Sequence, residues 1–233
     1  REGKDRSYTD HPAAESPADT QAFNFDGVND YAYDDNTGIG YFGLNDTDQG
    51  PWTVSLWFKT TVEAFQYLWS IYNTDHQEWV RIFIGQASSL YSVIYETSHS
   101  AMAWDGVTGT GVTSGQYAWM GQPATGSSNP LCDGNWHHVA VTAEGVATTG
   151  KLYLYVDGAL AASGDQKTSV VDPDRKQRVS GYDYDDTLNF TGQVAQLTLI
   201  KDELTAGEIS ALYNSGASTD PTVNHSPYAY YRF

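Results

Sequence analysis

Cysteine is almost absent. Cys132 stands alone, so no intrachain disulfide can form and the fold must rest on its core. Positive charge is also scarce: 12 Lys and Arg face 29 Asp and Glu, a formal net charge of -17 at pH 7. Such a chain repels nucleic acid and anionic membranes, and it can recruit cations such as Ca²⁺. No apolar run approaches the roughly 20 residues of a bilayer-spanning helix, which predicts no membrane insertion. A G-x-S-x-G elbow and a Gly-rich phosphate loop with Lys are both missing, which argues against two large enzyme classes. Helical periodicity is missing nearly everywhere.

Aromatic residues are abundant, at 14%, with 17 Tyr and 7 Trp. Tyr and Trp suit pleated sheets and binding surfaces alike. Period-two alternation recurs along the chain. Trp52, Val54, Leu56 and Phe58 alternate with Thr53, Ser55, Trp57 and Lys59. Val80, Ile82 and Ile84 repeat the pattern, as do Val139 with Val141, Leu152 with Leu154 and Val156, and Leu197 with Leu199. Asp26-Gly27, Asp133-Gly134, Asp157-Gly158 and Gly164-Asp165 punctuate these runs as turns. Many short strands with turns between them predict an all-β, antiparallel jelly-roll sandwich.

One short helix is predicted near the C-terminus, over Leu204–Tyr213. Thr205 and Glu208 form a capping box, and Asn214 or Gly216 can end the helix in a left-handed turn. Ile209, Leu212 and Tyr213 share one face, which is expected to plug an edge of the sandwich. Residues 1–21 are polar, with Pro12 and Pro17, and read as a linker or extended arm. Residues 22–216 read as the domain, and 217–233 as a linker plus a terminal strand. Residues 98–133 form a long Gly-, Ser- and Thr-rich excursion that carries Trp104, Tyr117 and Trp119.

Three segments, in order, resemble the laminin G-like jelly-roll family of the concanavalin A-like lectin/glucanase superfamily. Phe23-Asn24-Phe25-Asp26-Gly27-Val28-Asn29-Asp30-Tyr31 is similar to the family's opening F-D-G-x-x-D-Y strand. Asp133-Gly134-Asn135-Trp136-His137-His138-Val139-Ala140 and Leu152-Tyr153-Leu154-Tyr155-Val156-Asp157-Gly158 resemble its W-H-H-V-A strand and L-Y-V-D-G hairpin. Thr191-Gly192-Gln193-Val194 through Leu199, with the helix after Leu204, resembles its closing strand and short helix. Ala229-Tyr230-Tyr231-Arg232-Phe233 resembles the strand that opens such a unit. It is expected either to pair with the opening strand or to begin a next repeat, as in a slice of a modular protein. The resemblance implies a concanavalin A-like fold and a module that binds glycans or proteins. Where the family often carries an acidic pair in the closing strand, this chain has Ala195 and Gln196, which counts against a family-style Ca²⁺ site.

Retaining glycosidases of this superfamily place carboxylates as E-x-D-x-x-E on one strand. No glutamate here has Asp two places on, so no enzyme activity is expected and a glycoside hydrolase is the least favoured reading. His137 and His138 are adjacent on a strand, so their rings point to opposite faces and cannot share a metal. Cys132 is expected to be a small packing residue. Asp26, Asp30, Asp183, Asp185 and Asp186 offer hard oxygen ligands for Ca²⁺. Trp104, Tyr117, Trp119, Tyr72, Trp79 and Tyr91 are the candidate sugar-stacking residues, because pyranose C–H faces pack on Trp and Tyr. Asn45-Asp46-Thr47 and Asn189-Phe190-Thr191 fit the N-glycosylation pattern.

These features predict a non-catalytic adhesion or carbohydrate-binding module of an extracellular, cell-surface or virion-surface protein. Its partner would be a glycan or a surface protein. The alternative is a structural assembly or decoration domain of a virus particle, fibre or surface layer, with self-association or neighbouring subunits as its partners.

Overall fold

The computed structural model describes residues 22–34, 50–73, 79–85, 89–94, 118–121, 131–144, 151–165, 175–181, 187–214, 220–223, 225–227 and 229–231. Among them lie thirteen strands and one α-helix. The strands are β1 (Phe23–Asp26), β2 (Ala32–Asp34), β3 (Trp52–Lys59), β4 (Gln66–Asn73), β5 (Trp79–Gly85), β6 (Ser89–Ile94) and β7 (Ala118–Gly121). After them come β8 (Trp136–Ala143), β9 (Lys151–Val156), β10 (Ala159–Asp165), β11 (Arg175–Val179), β12 (Thr191–Ile200) and β13 (Ala229–Tyr231), with α1 (Ala206–Tyr213) between the last two.

The strands form two antiparallel sheets, as expected for a jelly roll. A seven-stranded sheet runs β1-β12-β3-β8-β9-β10, with β13 also paired to β12. A six-stranded sheet runs β2-β11-β4-β5-β6-β7. The inner faces interdigitate around one core. Val54, Leu56 and Phe58 of β3, Val139 and Val141 of β8, and Val194, Leu197 and Leu199 of β12 come from one sheet. Leu68, Trp69, Ile82, Ile84 and Val179 come from the other, with Phe25 and Phe190 completing the cluster. Burying each such side chain contributes roughly 1.5–3 kcal/mol.

The alternation read along β3 does not sort its faces into wet and dry. Thr53, Ser55 and Trp57 on the second face are as buried as the greasy set, because α1 and the segment leading into it, Asp202 to Leu204, cover that face. Ile209 and Leu212 of α1 pack with Ala140, Tyr155, Ile200 and Leu204, and Tyr213 stacks on Trp57 at 5.7 Å. The helix therefore lies over a sheet face, whereas the sequence predicted that it would plug an edge. Its caps are as expected. Thr205 and Glu208 make a reciprocal capping box, and Asn214 closes the helix in the left-handed region at φ 45°.

The terminal strand β13 pairs with β12 through Leu197↔Tyr231 and Leu199↔Ala229. It lies on the same side of β12 as β1, which takes Thr191 to Val194. It thus joins the closing strand, and it does not pair with the opening strand. Across the sandwich, Gln177 of β11 accepts from Trp69 Nε1 at 3.2 Å and donates to the Tyr231 hydroxyl at 2.7 Å. That chain of hydrogen bonds satisfies a buried amide and ties the two sheets together. Gln196 sits at φ 51° where the β12–β3 register shifts, so one of the two positions that replace the family's acidic pair is a bulge residue.

Candidate functional site

Cross-strand partners share a sheet face, so register alone sorts the six-stranded sheet. Val179, Trp69 and Ile82 form one row across β11, β4 and β5, and all three are buried in the core. The neighbouring row, Tyr33–Arg178–Ser70–Arg81–Val93–Trp119, belongs to the outer face. Two residues along, Lys176, Tyr72 and Trp79 are partners on that same face. On its other side, Tyr67, Phe83 and Tyr91 are partners. Four of the predicted stacking residues, Tyr72, Trp79, Tyr91 and Trp119, therefore occupy one face of one sheet, on four consecutive strands. Trp104 and Tyr117 lie outside the described residues.

Part of this face is a packed aromatic floor. Phe65 lies 4.8 Å from Phe83 and 5.6 Å from Tyr67 between ring centroids, and Tyr67 and Phe83 are buried. The β2 edge is different. Tyr31 and Tyr33 stand side by side at 5.8 Å, 44% and 59% exposed. Beneath Tyr31 lies the Arg178 guanidinium, 3.9 Å from the ring centroid. Arg178 is itself buried, and its Nε donates to the Ser180 carbonyl at 2.8 Å. An exposed ring backed by a fixed cation loses little rotamer freedom when a ligand docks, which is the preorganisation that recognition sites use. Sequence reading missed this pair. The signal was present as period two, Tyr31-Ala32-Tyr33, directly after the Asp26-Gly27 turn.

The carboxylates proposed for Ca²⁺ divide in two. Asp26 and Asp30 are brought together, but each serves the turn between them. Asp26 Oδ1 accepts the Val28 N–H at 2.8 Å, and Asp30 Oδ2 accepts the Asp26 N–H at 3.2 Å. Asp183, Asp185 and Asp186 lie outside the described residues. Among the described residues, no group of three or more His, Cys, Asp or Glu converges.

The adjacent histidines face opposite ways, as expected. His138 is buried beside Trp57 and Tyr213, with Nε2 2.7 Å from Ser55 Oγ. Burial pushes it down to about 4, against the pull of Asp157. A Ser–His pair at that distance has the look of a nucleophile and its base. Here both members are sealed under α1, and His138 Nδ1 has no hydrogen-bond partner among the described residues to orient the ring. His137 lies between Asp157 and Asp133. Burial opposes its charge, but hydrogen bonds and the charge of first Asp157 and then Asp133 hold it above the ordinary value. Cys132 packs in the core, and burial, then Glu63 and Asp133, raises its thiol to about 11. It is a packing residue and not a nucleophile at neutral pH.

Comparison with known proteins gives a consistent fold. A laminin G family model of the concanavalin A-like lectin/glucanases superfamily matches residues 34–210. The carbohydrate-binding CBM40 module of Ruminococcus gnavus IT-sialidase, bound to α2,3 sialyllactose, superposes with a TM-score of 0.55 at 17% identity. That match covers 82% of this chain and 97% of the module. The receptor-binding domain of botulinum neurotoxin mosaic serotype C/D gives a TM-score of 0.58 at 14% identity, over 88% of this chain and 44% of that one. Domains LG4-5 of the mouse laminin α1 chain give 0.51 at 12%, over 88% and 48%. No curated protein matches by sequence.

Proposed function

The chain belongs to the concanavalin A-like lectin/glucanases superfamily, and from that premise we propose that it is a non-catalytic carbohydrate-binding domain acting at a cell or virion surface. One observation carries the reading. Tyr72, Trp79, Tyr91 and Trp119 fall on the same face of one sheet as the exposed Tyr33, on five of its six strands. On the other sheet α1 covers outer-face residues of β3, β8, β9 and β12, which leaves the six-stranded sheet as the candidate recognition surface. Sugar C–H faces stack on Tyr and Trp rings, and a rigid sheet holds those rings at fixed spacing. The resemblance to a sialyllactose-bound carbohydrate-binding module supports the reading at the level of fold. No helix among the described residues is long and apolar enough to cross a membrane.

A glycan array probed with the whole chain, with and without Ca²⁺, tests the proposal. Binding to a defined glycan class is expected, and the Ca²⁺ arm reports whether a bound cation takes part. Silence across the array in both arms would overturn it. A second reading, a structural assembly domain, is favoured by the exposed Phe23, Val28, Tyr31, Tyr33 and Leu188. Sedimentation velocity separates the two, because an assembly domain self-associates and a lone glycan reader stays monomeric.

A further inference from the structure

The charge of the chain is not evenly spread over its strands. The protein carries 29 Asp and Glu against 12 Lys and Arg. Yet the described strand positions on the outer face of the six-stranded sheet reverse that balance. Lys176, Arg178 and Arg81 all occupy it, on β11 and β5. The remaining described strand positions there are Tyr33, Tyr67, Ser70, Tyr72, Trp79, Phe83, Gly85, Ser89, Tyr91, Val93, Trp119 and Gly121. Among these described positions there is no Asp or Glu. Asp34 pairs with Gln177 and so belongs to the inner face.

From this placement the geometry points to an acidic glycan, one bearing carboxylate or sulfate groups, as the ligand of the outer face of the six-stranded sheet. Two independent features carry the inference. First, Lys176 and Arg81 share the face with the aromatic rows, and no Asp or Glu stands among its described strand positions, so a ligand on that face lies beside positive charge. A neutral sugar gains nothing from that charge, whereas an anionic one gains a local attraction that offsets the repulsion of the rest of this acidic chain. Second, the Arg178 guanidinium sits 3.9 Å behind the Tyr31 ring. An aromatic face is the negative side of the ring quadrupole, and a cation behind it draws that density inward. The exposed side of Tyr31 is then less repulsive to a nearby carboxylate or sulfate. Arg178 acts through Tyr31 and is a positioning residue, since it is 2% exposed.

The inference rests on the carbohydrate-binding reading and narrows it. The whole chain is titrated with oligogalacturonate, with its fully methyl-esterified form, and with a heparin-derived oligosaccharide, after a glycan array that holds acidic and neutral members. The ester keeps the sugar backbone and removes the charge, and heparin separates sulfate from carboxylate as the source of that charge. The strongest array hits are expected to be acidic. Their neutral counterparts should bind at least about 10-fold more weakly, and raising NaCl from about 50 to about 500 mM should weaken the acidic hits by about 10-fold. Arg81→Gln and Lys176→Gln should each weaken the acidic hit by about 10-fold, with thermal stability unchanged. A neutral glycan bound as tightly as its acidic counterpart, affinity indifferent to salt, or Gln variants that bind as the parent does would each overturn the inference and leave the carbohydrate-binding reading standing. An array silent to every glycan would remove both.

Discussion

His137 and Asp157 are joined through Nδ1 and Oδ2 at 2.8 Å, and the same carboxylate accepts the His138 backbone N–H through Oδ1 at 2.9 Å. Asp157 sits at φ 48° in the β9–β10 hairpin turn, beside Gly158 at φ 74°. On the far side of the ring, Asp133 Oδ1 lies 3.2 Å from Nε2, and the Phe58 ring packs at 5.9 Å. Each ring nitrogen faces a carboxylate, so the arrangement is complete only when both carry protons. The clasp therefore fastens the hairpin tip to the turn before β8 in the imidazolium form.

A raised folded value fixes the sign of the pH dependence. The His137 contribution is fully present below the ordinary histidine value of about 6.5, and it fades as pH rises through the raised folded value. Ring titration by NMR should place His137 above its ordinary value, and Asp157→Asn should bring it down. A His137 titration that ignores Asp157→Asn would refute the clasp.

His138 works in the opposite direction. Its folded value is pushed down to about 4 by burial. Stability from this residue is present above about 6.5 and is lost as pH falls toward 4, because the unfolded chain takes up a proton that the buried ring refuses. The loss at pH 4 is on the order of 3 kcal/mol. Thermal melts from pH 7 to pH 4 should show it, and His138→Gln, which keeps a partner for Ser55, should flatten that part of the curve. As a check that does not depend on the variant folding, the His138 ring should remain neutral by NMR at pH 5.

The exposed tyrosines separate binding from stability. Tyr33 is 59% exposed, so Tyr33→Ala should shift the melting temperature by no more than about 2 °C. If Tyr33 stacks on a sugar, the same change should cost about 1 kcal/mol of glycan affinity, near 5-fold. Calorimetric titration with the best array hit measures it. Affinity equal to the parent's would remove the β2 edge from the site.

Of the two N-glycosylation patterns, one is closed by the fold. Asn189 Nδ2 donates to the Val28 carbonyl at 2.8 Å, Phe190 is fully buried, and Thr191 is paired with Asp26. A Cβ on Gly181 would run into the Asn189 amide oxygen, so the side chain is enclosed on that side too. Secretion from a eukaryotic host should leave Asn189 unmodified, as read by peptide mass spectrometry. Asn45 lies outside the described residues.

The legible parts of this fold were those set by near neighbours. The α1 caps could be read because Thr205 and Glu208 satisfy each other's N–H groups three residues apart. Strands β3, β8 and β12 could be read because their core-facing side chains alternate. Strands β2 and β11 went unread. Ala32–Asp34 is three residues long, and Arg175–Val179 carries three basic residues, so neither shows an apolar period. They are strands because β11 pairs with both β2 and β4. The candidate site divides in the same way. Tyr72, Trp79, Tyr91 and Trp119 were chosen as aromatics, but nothing local said they share a face. Tyr31 was read only as a motif residue, since its value as a platform depends on Arg178 beneath it.

By itself the amino-acid order determined the all-β class, the turns, the helix and its ends, and the strongly acidic charge, because each of these follows from interactions within a few residues or from composition. Only the folded chain decided which aromatics are neighbours, that α1 covers a face, and that Gln177 reaches Tyr231, 54 residues away in sequence. The physical reason is register. Antiparallel pairing brings distant residues within about 5 Å of one another, and that choice is made by the packing of the whole sandwich rather than by any local segment.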